Sequence, residues 1–365
     1  MKSVGIITHY DVHNHGALLQ LTALIRVLKT LGYEAKALQF DKNYDFLGYK
    51  LKAKYNVSIR SIGVYIKYLT EKGLGCTYYN FKKHRTLNKY KASQCIIGSY
   101  YTESKPLNAV IIGSDEVFAL HTGPTPVFFG YCLPTENIIS YAGSFGPTTL
   151  DDIRNLHSVD FVSAGLKNMK AITVRDANSA DIVDELTGHR PEIVVDPVLL
   201  YGYGEELKNI PVAKKQKYLL VYSYDDRMNS VEEYTAIKSF AKSKGLKTLS
   251  PGFYHSWCDI NVDVDPITLL TYFRDSVCVV TDTFHGAVMS LISGAKLVVK
   301  TRESNHFKLS NLLAEYNLNN RILTNWEDLP SVMDQDIDYS AVEKEIIERR
   351  TNSMNHLKEM LDKCK

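Results

Sequence analysis

The chain has 365 residues, of which 45% are hydrophobic and 23% charged, and its formal net charge is +2. This length fits about two domains, and the small net charge argues against a nucleic-acid-binding protein. The six cysteines form no CxxC pair, so neither a disulfide framework nor a zinc site is indicated and we expect no metal. No apolar run approaches the roughly 20 residues of a membrane span, so we expect a cytoplasmic protein.

The first half of the chain alternates between strand and helix patterns, beginning with a strand rather than a signal peptide. The predicted strands are Ser3–Thr8, Glu34–Gln39, Ala109–Ile112, Ile138–Tyr141, Ala171–Val174 and Ile193–Val195. The predicted helices are Gly16–Leu31, Asp151–Lys167 and Asn178–Leu186. Because parallel strands are usually joined by helices, this alternation predicts an α/β domain with an open, mostly parallel sheet.

Residues 43–105 interrupt the pattern with twelve Lys or Arg, three acidic residues and ten tyrosines. Two interpretations stay open. The first is a basic, aromatic surface for an anionic lipid-linked acceptor or for peripheral contact with the inner membrane face. The second is a solvated helical insertion, which is the usual explanation for a run of charge.

A second alternating series begins near residue 217. Its predicted strands are Tyr218–Tyr222, Lys247–Leu249, Val277–Thr281 and Lys296–Lys300, and its predicted helices are Ser230–Lys244, Pro266–Phe273, a helix from Phe284, and His306–Tyr316. The stretch Asp196–Ala213 is the predicted linker. We therefore expect an N-terminal Rossmann-like domain over 1–205, a C-terminal one over 206–335, and a helix over 336–365 that packs back on the first domain. In such a pair the ligand lies between the carboxyl ends of the two sheets.

The segment Thr281–Gly286 follows a buried strand and begins a helix, with His285 at the turn. Helix N-termini attract anions, and histidine can carry a proton near neutral pH. We expect the hydroxyls of Thr281 and Thr283 to contribute to an anion site, although helix capping is the default role for Thr283. The alternative for His285 is a core or capping histidine.

Polar residues also follow the predicted strands of the first domain. The turn after the first strand contains His9, Asn14, His15 and Gly16; we expect turn formation there rather than metal binding. Ser114, Asp115 and Ser144 can bind hydroxyl groups, and Asp115 can serve as a base or as a helix cap. Arg175 is a candidate for binding a carboxylate or phosphate, with an ion pair to Asp176 or Asp181 as the alternative.

Six segments together carry a family resemblance: His13–Gln20, Val110–Phe118, Ser140–Gly146, Thr173–Asp176, Val195–Val198 and Thr281–Gly286. In this order and spacing, the chain resembles the polysaccharide pyruvyl transferase family from residue 4 to about 323. The resemblance implies a GT-B-like pair of Rossmann-like domains. It also implies transfer of a pyruvyl group from phosphoenolpyruvate to two hydroxyls of a sugar, with no cofactor besides this co-substrate.

The resemblance assigns acid/base catalysis to His285 and anion binding to Arg175. Family members carry an arginine two residues before the histidine, where this chain has Thr283. Arg175 with Lys300, Arg302 or Lys308 would then supply the charge on the donor side. We add Asp115 to the catalytic residues, and the predicted acceptor-binding residues are Asn14, His15, Ser114, Ser144 and Phe145.

Two other functions stay open at this stage. One is a GT-B-type glycosyltransferase that uses a nucleotide-sugar donor. The other is a non-catalytic relative that binds glycans. The sequence leaves undecided the oligomeric state, the acceptor sugar, and whether that sugar is nucleotide-, lipid- or polymer-linked.

Overall fold

The computed structural model describes residues 2–41, 61–122, 125–211 and 217–364. These residues form two parallel sheets, each flanked by helices, so the chain has two Rossmann-like domains in a GT-B-like arrangement. No described helix combines the length and the apolar character needed to cross a membrane.

The first sheet has the strand order β3-β2-β1-β4-β5-β6-β7 within the described residues. Its strands are β1 (Lys2–Ile7), β2 (Tyr33–Gln39), β3 (Ile97–Tyr100), β4 (Ala109–Ile112), β5 (Ile138–Gly143), β6 (Ala171–Val174) and β7 (Glu192–Ile193). All its pairings are parallel, with Val4 opposite Ala35 on one side and Ala109 on the other. The carboxyl ends of these strands therefore lie along one edge of the sheet.

The helices of this half are α1 (His15–Thr30), α2 (Ser61–Ser93), α3 (Leu150–Asn155), α4 (Val159–Lys167), α5 (Ala177–Thr187), α6 (Pro197–Tyr201) and α7 (Gly204–Asn209). The single helix predicted over 151–167 is divided into α3 and α4, because His157 adopts a left-handed φ of 49° between them. The predicted linker contains two short helices, and α6 begins at Pro197 after its N-cap Asp196.

The second sheet has the order β10-β9-β8-β11-β12 in the described part of the chain and is also parallel. Its strands are β8 (Tyr218–Tyr222), β9 (Lys247–Pro251), β10 (Ile260–Val262), β11 (Cys278–Thr281) and β12 (Leu297–Val299). The remaining helices are α8 (Val231–Ser243), α9 (Pro266–Arg274), α10 (Phe284–Ser293), α11 (His306–Glu315), α12 (Leu329–Asp334) and α13 (Tyr339–Asp362).

The two domains share one apolar core. Most residues of helix α1 are buried, and the helix packs against both α6 and α9. Leu24 of α1 belongs to the same buried cluster as Phe273 of α9 and Leu357 of α13. Helix α13 lies against the first domain, where the Ser353 hydroxyl accepts a hydrogen bond of 3.0 Å from the Val195 amide. This shared core fixes the relative position of the two strand edges.

Part of the basic insertion forms α2, whereas residues 42–60 lie outside the described residues. Helix α2 docks on the second domain: the Tyr79 hydroxyl donates to the Val262 carbonyl at 2.7 Å, and Thr86 bonds to Asp263 at 2.6 Å. Lys83 is buried there, with its ammonium 4.0 Å from the centre of the Phe253 ring. The described part of the insertion therefore joins the domains and is not simply a solvated surface.

Candidate active site in the interdomain cleft

The carboxyl ends of both sheets border a cavity of about 520 Å³. Its walls include side chains that follow β1, β4 and β6 in the first domain and β8, β9 and β11 in the second. The lining residues used below are His9, Asn14, Asp115, Glu116, His121, Arg175, Tyr224, Arg227, Phe253, Thr283, Phe284, His285 and Lys308. A cleft with contributions from two domains and several charged groups is where a Rossmann-like pair binds its ligand.

His285 enters this cavity from the first turn of α10. Thr283 is the N-cap of that helix, and its hydroxyl accepts the Gly286 amide at 2.9 Å, so the predicted capping role of Thr283 is present. The His285 ring lies against Gly16 of α1 in the other domain. Its Nε2 atom is 3.7 Å from Oδ2 of Asp196 and makes no hydrogen bond to a described residue.

Arg175 lies between two carboxylates at the end of β6. One terminal nitrogen donates to Asp196 and the other to Asp115, each at 3.2 Å, and the guanidinium stacks 4.4 Å above the Phe284 ring. The Arg175 side chain is only 2% exposed. The predicted ion pair is therefore present, but with Asp115 and Asp196 instead of Asp176 or Asp181. Each terminal nitrogen of Arg175 therefore already makes one bond to a carboxylate, whereas its Nε makes no hydrogen bond to a described residue.

Asp115 and Asp196 are held in their ionised forms. Burial alone would raise the pKa of each carboxyl group, but nearby positive charge outweighs burial. For Asp115, Arg175 is the strongest of these charges and holds the pKa well below its usual range. For Asp196, the pKa is lowered by its interactions with His285 and Arg175 and by the hydrogen bond from the Val198 amide. Both groups are thus anions at neutral pH.

The amino end of α1 also reaches across the cleft. The Asn14 carboxamide oxygen accepts hydrogen bonds from the amides of Gly16 and Ala17, which caps the helix. Its nitrogen donates at 3.1 Å to the hydroxyl of Tyr224 in the second domain. Asn14 therefore lies where it was expected, at the cavity, and links the two domains there.

The family model for polysaccharide pyruvyl transferases matches residues 14–304. The chain belongs to the polysaccharide pyruvyl transferase family. It is accordingly a transferase, as the resemblance of its motifs predicted. Comparison with curated proteins found no matching sequence.

Solved structures resemble this transferase in fold. An Arabidopsis thaliana UGT89C1 structure complexed with UDP is 10% identical, covers 100% of both chains and has a TM-score of 0.51. A UDP-GlcNAc 2-epimerase from Methanocaldococcus jannaschii is 11% identical, with 93% of each chain covered and a TM-score of 0.49. At such low identity the first likeness supports the two-domain fold and nothing about the substrate.

The three histidines of the β1–α1 loop of this transferase point to different partners. His9 Nε2 is 3.2 Å from the Glu116 carbonyl, the His13 ring lies 3.9 Å from that of His84, and His15 Nε2 is 2.8 Å from the Val264 carbonyl. No group of three or more potential metal ligands occurs in the described residues. His15, a predicted acceptor-binding residue, is fully buried at the domain interface rather than on the described cavity wall.

Some of the predicted donor-side residues line the described cavity and others do not. Arg175, Thr283 and Lys308 line the cavity, and Lys308 forms an ion pair with Glu116 of the first domain. Thr281, Lys300 and Arg302 are not among the described residues that line it. Thr281 is buried and donates to the Tyr222 carbonyl at 2.6 Å; Lys300 bonds to the Thr324 carbonyl; Arg302 pairs with Asp282 and Glu233. Their donor-binding roles remain predictions.

The other predicted acceptor residues lie behind the cavity wall. Ser114 is buried, with its hydroxyl 3.4 Å from Asp196. The Ser144 hydroxyl donates to Asp176 at 2.6 Å, and the Phe145 ring packs 5.2 Å from that of Phe118. These residues support the carboxyl edge of the sheet, and direct contact with an acceptor would require their exposure.

Sequence reasoning did not assign a role to several residues at the site. Asp196 lies in the matching motif Val195–Val198 but also in the predicted linker; its position directly after the predicted strand Ile193–Val195 was the available signal. Glu116 lies within the matching motif Val110–Phe118, which indicated no role for it. Tyr224, Arg227 and Phe253 lie in loops after β8 and β9, where no periodic pattern or motif marks them.

Proposed function

We propose that this transferase moves a pyruvyl group from phosphoenolpyruvate to a sugar of a cell-surface polysaccharide or of its precursor, forming a cyclic ketal. The observation that carries the proposal is the juxtaposition of His285 from one domain with Asp196, Asp115 and Arg175 from the other at a single cavity. Membership of the family supports the same reaction class.

The reaction needs proton transfer and anion stabilisation. One sugar hydroxyl oxygen bonds to C2 of phosphoenolpyruvate while C3 gains a proton, and the double bond becomes single. Phosphate then leaves with the electrons of its bond to C2. The second hydroxyl oxygen bonds to C2 and closes the ring. Of the two hydroxyl protons, one is balanced by the proton added to C3 and the other leaves with phosphate.

In this scheme His285 is the proton carrier. An imidazole can donate a proton to C3 and then accept one from the ring-closing hydroxyl near neutral pH. The Asp196 carboxylate, 3.7 Å from Nε2, places a fixed negative charge beside the ring. Asp196 is therefore a positioning residue, comparable to the acid that orients histidine in other acid/base pairs.

Asp115 has a narrower role than general base. Because Arg175 keeps the pKa of the Asp115 carboxyl well below its usual range, this carboxylate is a weak proton acceptor. It can still accept a hydrogen bond from a sugar hydroxyl and orient it. Arg175, whose terminal nitrogens already bind Asp115 and Asp196, holds these two carboxylates in place.

The direct test is incubation with phosphoenolpyruvate and candidate glycans, with measurement of phosphate release and of a pyruvate-sized mass gain on the glycan. We expect His285→Ala and His285→Gln to lose about 10²- to 10⁴-fold in rate, the usual contribution of general acid–base catalysis. His189→Ala, at an exposed position, is the matched control. Equal rates for wild type and both His285 variants would remove His285 from the mechanism.

Melting temperatures measured with each donor separate the proposal from a nucleotide-sugar glycosyltransferase. A ligand that binds only the folded state raises the melting temperature once its concentration exceeds its dissociation constant. Stabilisation by phosphoenolpyruvate, but not by UDP, supports the pyruvyl transfer. Stabilisation by UDP alone, together with release of UDP from a nucleotide-sugar, would replace it with glycosyl transfer. Glycan binding without turnover of either donor would favour a non-catalytic relative.

A further inference from the structure

The loop after β8 brings Arg227 to the cavity wall. Its guanidinium lies 4.9 Å from the centre of the Tyr224 ring, and its amide donates to the Tyr224 carbonyl at 2.9 Å. Tyr224 is in turn held by Asn14, which caps α1 in the first domain. Arg227 is therefore positioned by a short chain of contacts that begins in the opposite domain.

Arg227 differs from Arg175 and Lys308, the other arginine and lysine on the described cavity wall, in having no carboxylate partner. Arg175 is neutralised by Asp115 and Asp196, and Lys308 by Glu116. Arg227 lines the same cavity, yet no ion pair joins its guanidinium to any carboxylate in the described residues. An arginine that stacks on an aromatic ring keeps its hydrogen-bond donors available for an anion.

Near the start of α10, neither Thr283 nor Arg302 places an unpaired positive charge on the described cavity wall. Thr283 uses its hydroxyl to cap α10 and has no charge. Arg302 is engaged with Asp282 and Glu233 and is not among the described cavity residues. Among the described arginines and lysines that line the cavity, Arg227 is therefore the one that forms no ion pair with a carboxylate, and its charge is available to a phosphate in the cleft.

We propose that Arg227 binds the phosphate group of the donor. This inference rests on the proposed function for the identity of the donor, phosphoenolpyruvate, but not for the anion site itself. The planar guanidinium can donate two parallel hydrogen bonds to phosphate oxygens, which a lysine cannot reproduce. Arg227 would also stabilise the phosphate as it leaves C2, since its charge is already in place there.

Calorimetric titration with phosphoenolpyruvate and, separately, inorganic phosphate tests the assignment. In Arg227→Gln we expect both dissociation constants to rise about 10- to 100-fold, the effect of losing a charge-assisted hydrogen bond. Arg227→Lys should recover part of the loss because it keeps the charge. Arg85→Gln is the matched control: Arg85 also stacks on an aromatic ring, at 5.9 Å from Phe81, and is outside the described cavity wall.

The outcomes separate the two proposals. Unchanged binding of phosphate by Arg227→Gln would overturn the role of Arg227 and leave the pyruvyl transfer standing. Phosphate binding that depends on Arg227, without turnover of phosphoenolpyruvate on any tested glycan, would support the anion site and count against the proposed reaction. Absence of phosphate binding by the wild type at millimolar concentrations would overturn the site. Melting temperatures without ligand verify that each variant is folded.

Discussion

The ring of His285 packs so closely on Gly16 that a Cβ atom added to Gly16 would lie 2.3 Å from Cγ of His285. The two residues belong to the first turns of α10 and α1, which come from different domains. Asp196, which precedes α6, lies on another side of the same ring. The position of His285 is thus determined by first-domain residues, and the site is complete only when the two domains are packed together.

Gly16→Ala is expected to impair catalysis more than stability. The added methyl group must displace the His285 ring, and a shift of about 1 Å in a catalytic group can cost about 100-fold in rate. Overpacking at a buried contact costs about 1–3 kcal/mol of unfolding free energy. The measurements are kcat and urea unfolding. Gly63→Ala is the control, because a Cβ there meets nothing within 4 Å. An active, normally stable Gly16→Ala enzyme would show that the ring has room to move.

Asp196→Asn isolates the charge of Asp196 while keeping its helix cap. Asparagine caps helices about as well as aspartate, so the hydrogen bond to the Val198 amide can persist. Arg175 then loses one of its two buried carboxylates, a change that costs about 3–5 kcal/mol of unfolding free energy. We expect a lower kcat as well, because His285 loses its neighbouring charge. Urea unfolding at pH 7 gives the stability, and exposed Asp181→Asn is the control.

The pH dependence of this variant has a defined sign. Since the pKa of Asp196 is lower in the folded state, its carboxylate stabilises the fold above the unfolded pKa of about 3.9. That contribution is lost as pH falls through the folded pKa. The stability difference between wild type and Asp196→Asn should therefore be full at neutral pH and shrink in this acidic range. A difference that stays constant down to acid unfolding would contradict the assignment.

The sequence located the cavity through its strand ends, because parallel strands place their carboxyl termini on one edge. This reasoning predicted that His285, Asp115 and Asn14 would lie at the cleft between the two domains. It could not supply the partners of Arg175, since they depend on tertiary contacts among distant loops. Ser144 and Phe145 show a second limit: both follow β5, but Ser144 bonds to Asp176 and Phe145 packs against Phe118, and neither contact could be read from the strand pattern.

His15 should make the domain interface sensitive to acid. Its Nε2 contacts the Val264 carbonyl at 2.8 Å, so Nε2 carries the hydrogen, and Nδ1 is buried without a hydrogen-bond partner among the described residues. Burial, reinforced by the charge of Lys83, lowers the pKa of His15 to about 3. The unfolded chain therefore takes up this proton first, and His15 lowers the unfolding free energy progressively as pH falls below about 6.5.

Replacing His15 should flatten that dependence. His15→Gln can still donate to the Val264 carbonyl but has no titrating group, so we expect lower stability than wild type at pH 7 and a weaker loss between pH 6.5 and 4. Thermal unfolding over this range gives the comparison. His189→Gln, at an exposed position, serves as the control and should follow wild type. Parallel curves for His15→Gln and wild type would mean that His15 is protonated equally in the folded and unfolded states.

Glu116 is expected to restrain donor affinity by holding Lys308 across the cleft. Both residues line the cavity, and their ion pair joins the first domain to α11. In Glu116→Gln the lysine loses its carboxylate partner and becomes available to an anionic donor. We therefore expect tighter binding of phosphoenolpyruvate, by about 3- to 10-fold, together with a small loss of stability of about 1 kcal/mol.

The double variant Glu116→Gln with Lys308→Met decides whether Lys308 causes the gain. If it does, adding Lys308→Met returns the dissociation constant of phosphoenolpyruvate to the wild-type value or above it. If the double variant binds as tightly as Glu116→Gln, the gain comes from removing the negative charge of Glu116 itself, which also lies 3.7 Å from Nε2 of His121. Weaker binding by Glu116→Gln alone would instead show that the ion pair holds the cleft in its binding conformation.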